Sequence, residues 1–148
     1  MQRTLILLKP DCVQRRLVGT ILARFEQKGL RIAAMKLLVA SRELAAKHYA
    51  AHASKPFYES LLSFLTSGPT VALVLEGREA VAVARAIIGA TDGVKAAPGT
   101  IRGDYALSVQ NNLVHGSDSP ENAAAEIDIW FAPSELAEWA PVDADWIG

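Results

Sequence analysis

Apolar residues along this chain fall into short runs with two periods. Thr4 to Lys9 is nearly continuous in apolar residues, the pattern of a strand buried on both faces. Val18, Ile21, Leu22 and Phe25 recur at i, i+3, i+4 and i+7, which is one face of a helix, and Gly29 stands where a C-terminal glycine cap belongs. Met35, Leu37 and Val39 alternate with Lys36 and Leu38 and predict a second strand. Ser41 is placed to cap a helix running to about Tyr49. After a break at Lys55-Pro56, Phe57, Leu61, Leu62 and Leu65 form another helical stripe, ended by Ser67-Gly68-Pro69. Thr70 to Glu76 reads as a strand. Val81, Ala84, Ile87 and Ile88 read as a helix that stops at Gly89. Asp92 to Gly103 reads as an ordered loop and Ala106 to Val109 as a short fourth strand. Ser119-Pro120-Glu121 is a helix start, with a hydroxyl cap, proline in the first turn and an acid beside the positive helix end. That helix carries Ala123, Ile127, Trp130 and Phe131, and the tail from Pro133 has no clear period.

The order is β-α-β, a pair of helices, then β-α-β. Two βαβ halves in one chain match the ferredoxin-like arrangement. The expected fold class is therefore α/β (α+β): a βαββαβ sandwich whose four-stranded antiparallel sheet is covered by helices, with an added helical hairpin and a C-terminal tail. No linker or repeat divides the 148 residues, so one domain over 1–148 is expected.

Composition narrows the class. The 51% hydrophobic content excludes intrinsic disorder, and a single cysteine excludes an internal disulfide or a C-x-x-C site. Fifteen basic against sixteen acidic side chains give a net charge of −1. That disfavours a broad nucleic-acid or membrane surface, but says nothing about a local cluster of charge. The apolar run at the N-terminus is too short for a signal peptide or a membrane span, so a cytoplasmic protein is expected.

Three histidines are present. His48 and His52 lie on a polar, helix-like stretch beside Lys47 and read as surface residues. His115 lies just before a helix N-terminus, where unpaired N–H groups and the positive dipole end favour anions. An imidazole there is either a phosphoryl nucleophile or a turn residue beside a cap. Glu126 falls two helical turns after Ser119, on a face able to point back at His115, and Ser117 is within reach of the same carboxylate. A carboxylate on one ring nitrogen fixes the tautomer and leaves the other to attack. Lys9 ends an apolar run, Arg85 interrupts an apolar helix face, and Arg102 sits in a glycine-rich loop. Each suits a phosphate, yet neither common phosphate-binding loop is present.

Together these segments carry a resemblance. Lys9-Pro10-Asp11, Leu17-Val18-Gly19, Ser67-Gly68-Pro69, Gly89-Ala90-Thr91-Asp92, Pro98 through Asp104 and Asn112 through Ser119 occur in order. Over essentially its whole length the chain resembles the nucleoside diphosphate kinase family, with His115-Gly116-Ser117-Asp118-Ser119 as the active-site signature. The resemblance implies a Mg²⁺-dependent ping-pong transfer of the γ-phosphoryl of a nucleoside triphosphate, mainly ATP, to a nucleoside diphosphate, with broad base and sugar specificity. It implies that His115 is phosphorylated, that Glu126 orients it with Ser117, and that Tyr49 lies beside it. Lys9, Arg85, Thr91 and Arg102 match phosphate-binding residues. Asn112 and Lys9 match those on the sugar hydroxyls. Phe57 and Val109 match the residues on either face of the base, and Leu61 and Gly116 also fall in the nucleotide-binding set. Asp118 matches a residue near the water shell of magnesium, which is held mainly by the nucleotide phosphates. The resemblance further implies a homo-oligomer, with the tail and Pro98 favouring a hexamer over a tetramer, and no membrane or nucleic-acid partner. The competing reading is a binding protein on the same scaffold.

Two positions depart from the family pattern. Cys12 stands where glycine is common, and a backbone needing positive φ there would be strained. Gln110-Asn111 precedes Asn112 where a basic residue often sits.

Overall fold

The computed structural model describes residues 1–148. Four strands, β1 (Gln2–Leu8), β2 (Arg31–Val39), β3 (Pro69–Gly77) and β4 (Val114–Gly116), form one antiparallel sheet in the order β2-β3-β1-β4. This is the ferredoxin-like arrangement expected from the element order.

β1 runs through the middle of the sheet, which explains its unbroken apolar sequence. Ile6 and Leu8 enter the core on one face, with Ile21, Phe25, Leu73 and Ile88. Leu5 and Leu7 enter the other, with Leu62, Leu65, Ile127 and Trp130. The first face is covered by α2 (Val18–Lys28) and α5 (Ala80–Ile88), and the second by α3 (Arg42–His48), α4 (Tyr58–Leu65) and α7 (Pro120–Trp130). α3 and α4 are the expected helical addition.

The predicted caps are in place. Gly29 closes α2 at φ 110°. The Ser41 hydroxyl accepts from the Leu44 N–H, and the Ser119 hydroxyl from the Asn122 N–H at 3.1 Å.

Three expectations differ. Pro10–Gln14 forms a short helix, α1, in which Cys12 is buried with no positive φ, so its side chain meets no strain of that kind. Ile101–Tyr105 forms another, α6, across the end of the expected loop. Its cap is the Thr100 hydroxyl, which accepts from the Gly103 N–H at 3.0 Å. The fourth strand is not 106–109, where Leu107 and Val109 are exposed, but Val114–Gly116. A three-residue strand ending in His-Gly is too short to show a period. Its pairing with β1 (Ile6 opposite Gly116, Leu7 opposite His115) defines it instead. The chain ends in α8 (Ala144–Ile147), and before it the tail returns to β2: the Ala137 N–H donates to the Ala33 carbonyl at 2.7 Å.

Candidate active site

β4 places His115 on the sheet face covered by α3 and α7. Its Nε2 lies 3.0 Å from Glu126 Oε1, and the Ser117 hydroxyl donates to the same oxygen at 2.6 Å. An ionised carboxylate only accepts hydrogen bonds, so the proton shared with His115 sits on Nε2 and the Nδ1 lone pair is left to attack. Burial raises the Glu126 carboxyl, but the hydrogen bond and charge from His115, with the Ser117 hydroxyl, outweigh it and hold the group below the usual range. Ser117 is itself buried and accepts from the Leu5 N–H at 3.1 Å, so β1 fixes the far end of this chain of bonds.

His48 belongs to this cluster, contrary to the surface position expected for it. Its ring lies 4.6 Å from that of His115, edge to face at 86°. Periodicity missed it because His48 is the last residue of α3 and packs against a helix about eighty residues away. The Trp130 indole N–H donates to His48 Nδ1 at 3.1 Å. Burial, aided by the neighbouring His115, pushes the His48 pKa down to about 3. His48 is thus neutral, with Nδ1 occupied and its proton on Nε2, which leaves it no lone pair for attack. His52, also expected at the surface, is half-buried, and its Nδ1 is fully enclosed without a partner. Tyr49 packs on His48 at 4.7 Å, and burial followed by the Glu126 charge pushes its phenol up to about 12.

A second group of residues meets beside β4. Lys9 Nζ, on a side chain almost wholly enclosed, donates to Asn112 Oδ1, and Asn112 Nδ2 donates to the Thr91 carbonyl at 3.0 Å. Burial lowers the Lys9 pKa to about 8, with Asp11 raising it and Arg102 lowering it further. Arg102 is buried and donates to the carbonyls of Asn112 (3.2 Å), Gly89 (3.2 Å) and Val114 (2.5 Å). A guanidinium has five N–H donors, so two remain for a ligand. Burial lowers its pKa to about 10, Arg85 lowers it further and Asp11 raises it, so it stays cationic at neutral pH. Arg85, half-buried, donates to the Gly116 carbonyl at 3.2 Å. Both arginines therefore grip the strand that carries His115, one on each side of it. The local cation cluster that net charge left open is real: Lys9 and Arg102 feel each other's charge, as do Arg102 and Arg85.

Phe57 and Val109 stay open to solvent at 46% and 58% exposure, and Leu61 is half-buried. Phe57 joins the cluster through His52, its ring 5.8 Å away, and His52 packs on Tyr49. Nothing ties Val109 to the other site residues. Asp118 is exposed, and one of its oxygens accepts from Asn122 Nδ2 at 2.6 Å.

His48, His115 and Glu126 are the group whose ligand atoms gather as a metal site would. Their nitrogens do not suit magnesium, which prefers oxygen and keeps several waters. Moreover, Trp130 already occupies His48 Nδ1, while His115 and Ser117 occupy Glu126 Oε1. The cations gathered beside β4 suit phosphate oxygens instead.

The nucleoside diphosphate kinase family model matches residues 2–136 of the chain. Nucleoside diphosphate kinases from Thermosynechococcus vestitus and Rhodopirellula baltica are similar to it. The first is 54% identical over 147 residues, covering 99% of this chain and 98% of the relative; the second is 58% identical over 142 residues, covering 96% and 93%. Among solved structures, a halophilic nucleoside diphosphate kinase from Halobacterium salinarum in complex with CDP superposes with a TM-score of 0.97 at 45% identity, over 99% of this chain and 98% of that one. A nucleoside diphosphate kinase family protein from Babesia bovis gives a TM-score of 0.97 at 43% identity over the whole of both chains.

Proposed function

The chain belongs to the nucleoside diphosphate kinase family, and we propose that His115 is the residue on which its phosphoryl group waits between two nucleotides. The enzyme is a phosphotransferase that moves the γ-phosphoryl of a nucleoside triphosphate to a nucleoside diphosphate. The observation that carries the role of His115 is its bond to Glu126, itself held by Ser117.

His115 Nδ1 attacks the γ-phosphorus, an N–P bond forms, and the bond to the β,γ-bridging oxygen breaks as the nucleoside diphosphate leaves. The ring becomes cationic, and the Glu126 carboxylate stabilises that charge without moving the Nε2 proton. After exchange, a terminal phosphate oxygen of the acceptor diphosphate attacks the same phosphorus and restores neutral His115. Such a transfer needs positioning and charge stabilisation more than covalent help. Lys9, Arg85 and Arg102 supply the charge, with Thr91 beside them. Lys9 and Asn112 hold the sugar hydroxyls. Phe57, with Leu61 and Val109, takes the base by stacking, which tolerates any base because every base has a π-face. Gly116 keeps the strand beside His115 free of a side chain, and Tyr49 and His48 pack behind the ring. Magnesium, when bound with the nucleotide, neutralises phosphate charge, and Asp118 reaches it through water.

Incubation with γ-labelled ATP and Mg²⁺ tests this. Acid-labile label should appear on His115, leave on addition of GDP, and be absent from His115→Gln. Label that persists in that variant refutes the assignment.

Residues 1–148 form one domain in this reading, supported by two cores that share one sheet. A homo-oligomer is favoured by the β2 edge, where Met35, Leu37 and Val39 are 54%, 65% and 62% exposed, with a hexamer preferred to a tetramer. No helix is long and apolar enough to cross a membrane, and we place the protein in the cytoplasm, without a nucleic-acid partner.

A further inference from the structure

Asp11 is not among the residues assigned above to nucleotide or phosphoryl group, yet it holds the segment that aligns them. Leu113 is fully buried and has a φ of 74°, a region that L side chains rarely adopt. The Val114 N–H donates to the Asn112 carbonyl at 2.8 Å. This closes a three-residue γ-turn of the strained, positive-φ kind around Leu113. Asp11 Oδ2 accepts from the Leu113 N–H at 3.0 Å, and the Lys9 N–H donates to the Leu113 carbonyl at 2.9 Å. Both backbone groups of the strained residue are thus taken by the segment 9–11. Arg102 holds the carbonyl on either side, those of Asn112 and Val114. On one side of the turn is Asn112, bonded to Lys9. On the other, one residue on from Val114, is His115. A turn that relaxed at Leu113 would swing the Asn112 and His115 side chains relative to each other.

The second oxygen, Asp11 Oδ1, is buried and has no hydrogen-bond partner. An enclosed carboxylate oxygen without a donor is costly unless positive charge lies close by. Lys9 and Arg102 supply that charge, and both feel Asp11 as an attractive neighbour.

We propose that Asp11 is a positioning residue of the transfer reaction: it clamps the strained turn that sets Asn112 against His115, and its charge balances the buried cations at that end of the phosphate site. The proposal rests on the assignment of His115 and Lys9 above. Lys9 faces Asp11 from α1, Arg102 from α6, the Asn112 side chain, the Gln110 carbonyl and the Phe64 ring from α4, and its charge is felt by His48 of α3. Asp11 is the only acid acting on Lys9 in that set. The Lys9 pKa is already lowered to about 8 by burial, so its loss of charge limits phosphate binding on the alkaline side. Removing Asp11 moves that limit to lower pH.

Two variants separate the two roles. Asp11→Asn keeps an acceptor for the Leu113 N–H and removes the charge; Asp11→Ala removes both. The measurement is single-turnover phosphorylation of His115 by γ-labelled ATP from pH 6 to 9.5, with a thermal melt of each variant. The alkaline limb of kcat/KM should move down by roughly one pH unit in both. The maximal phosphorylation rate should stay within about threefold in Asp11→Asn and fall by ~10-fold or more in Asp11→Ala, the scale of a misplaced reacting group. Lowered melting temperatures with the limb unmoved in Asp11→Asn would overturn the proposal, and Asp11→Asn alone decides if Asp11→Ala does not fold. Absence of label from the unmodified chain would overturn the His115 assignment, and this proposal with it.

Discussion

The two histidine rings in edge contact behave differently because of what holds each nitrogen. His115 faces a carboxylate and keeps a nucleophilic lone pair. His48 faces the Trp130 indole N–H and keeps none. The burial that silences His48 also makes it an acid sensor of stability. Its folded pKa of about 3 lies below the free value of 6.5, so on acidification the unfolded chain takes up the proton first. Stability is complete above pH 6.5 and falls as pH drops below it, by up to about 1.4 kcal/mol per unit. Below 4.5 protonation of Glu126, whose folded pKa is also depressed, adds to the loss. Urea unfolding at pH 7, 6 and 5 should show this slope, and His48→Phe should flatten it. An equal slope in that variant would assign it to another group.

Among the elements, α6 and β4 are short and hold each other in place. Neither has the length to be stable by itself. α6 starts against the end of α5, where Gly89 has φ 90° and an added Cβ would lie 2.4 Å from the Thr100 hydroxyl. From α6, Arg102 reaches three carbonyls, two of which flank the strained Leu113 turn. Arg102→Lys keeps the charge and cannot span the three acceptors. Leaving buried carbonyls unpaired costs roughly 1–3 kcal/mol each, so this variant should lose on the order of 3 kcal/mol of stability as well as activity. Denaturant titration checks the first loss, and a midpoint within error of the parent would show that water replaces the guanidinium.

At the scale of the whole molecule, the sheet has two covered faces and two unequal edges. At β4 the edge is three residues long and carries His115. At β2 the edge is nine residues long, joined near its start by the tail through Ala137 and through Trp139, whose indole N–H donates to the Ile32 carbonyl at 2.9 Å. Beyond that contact Met35, Leu37 and Val39 are exposed. A long apolar edge invites pairing with another chain. If the proposed homo-oligomer forms through this edge, Leu37→Lys with Val39→Lys should lower the mass seen by light scattering while leaving the fold intact by circular dichroism. An unchanged mass would move the subunit contact to another surface.

The sequence by itself determined the first three strands, the longer helices, the caps at Gly29, Ser41 and Ser119, and a helix face able to turn Glu126 towards His115. Each depends on spacing within one element or across one turn, which period and cap chemistry record directly. The tertiary structure alone decided the position of β4 and the burial of His48 against Trp130, and it assembled the Lys9, Arg85 and Arg102 cluster that only the family resemblance had implied. These depend on contacts between residues far apart in the chain. A three-residue strand has no period to read, a histidine ending a polar helix has nothing local to mark it as buried, and a net charge of −1 averages away a cluster that only folding assembles. Asp11 belongs with these, since the strained turn it holds lies about a hundred residues along the chain.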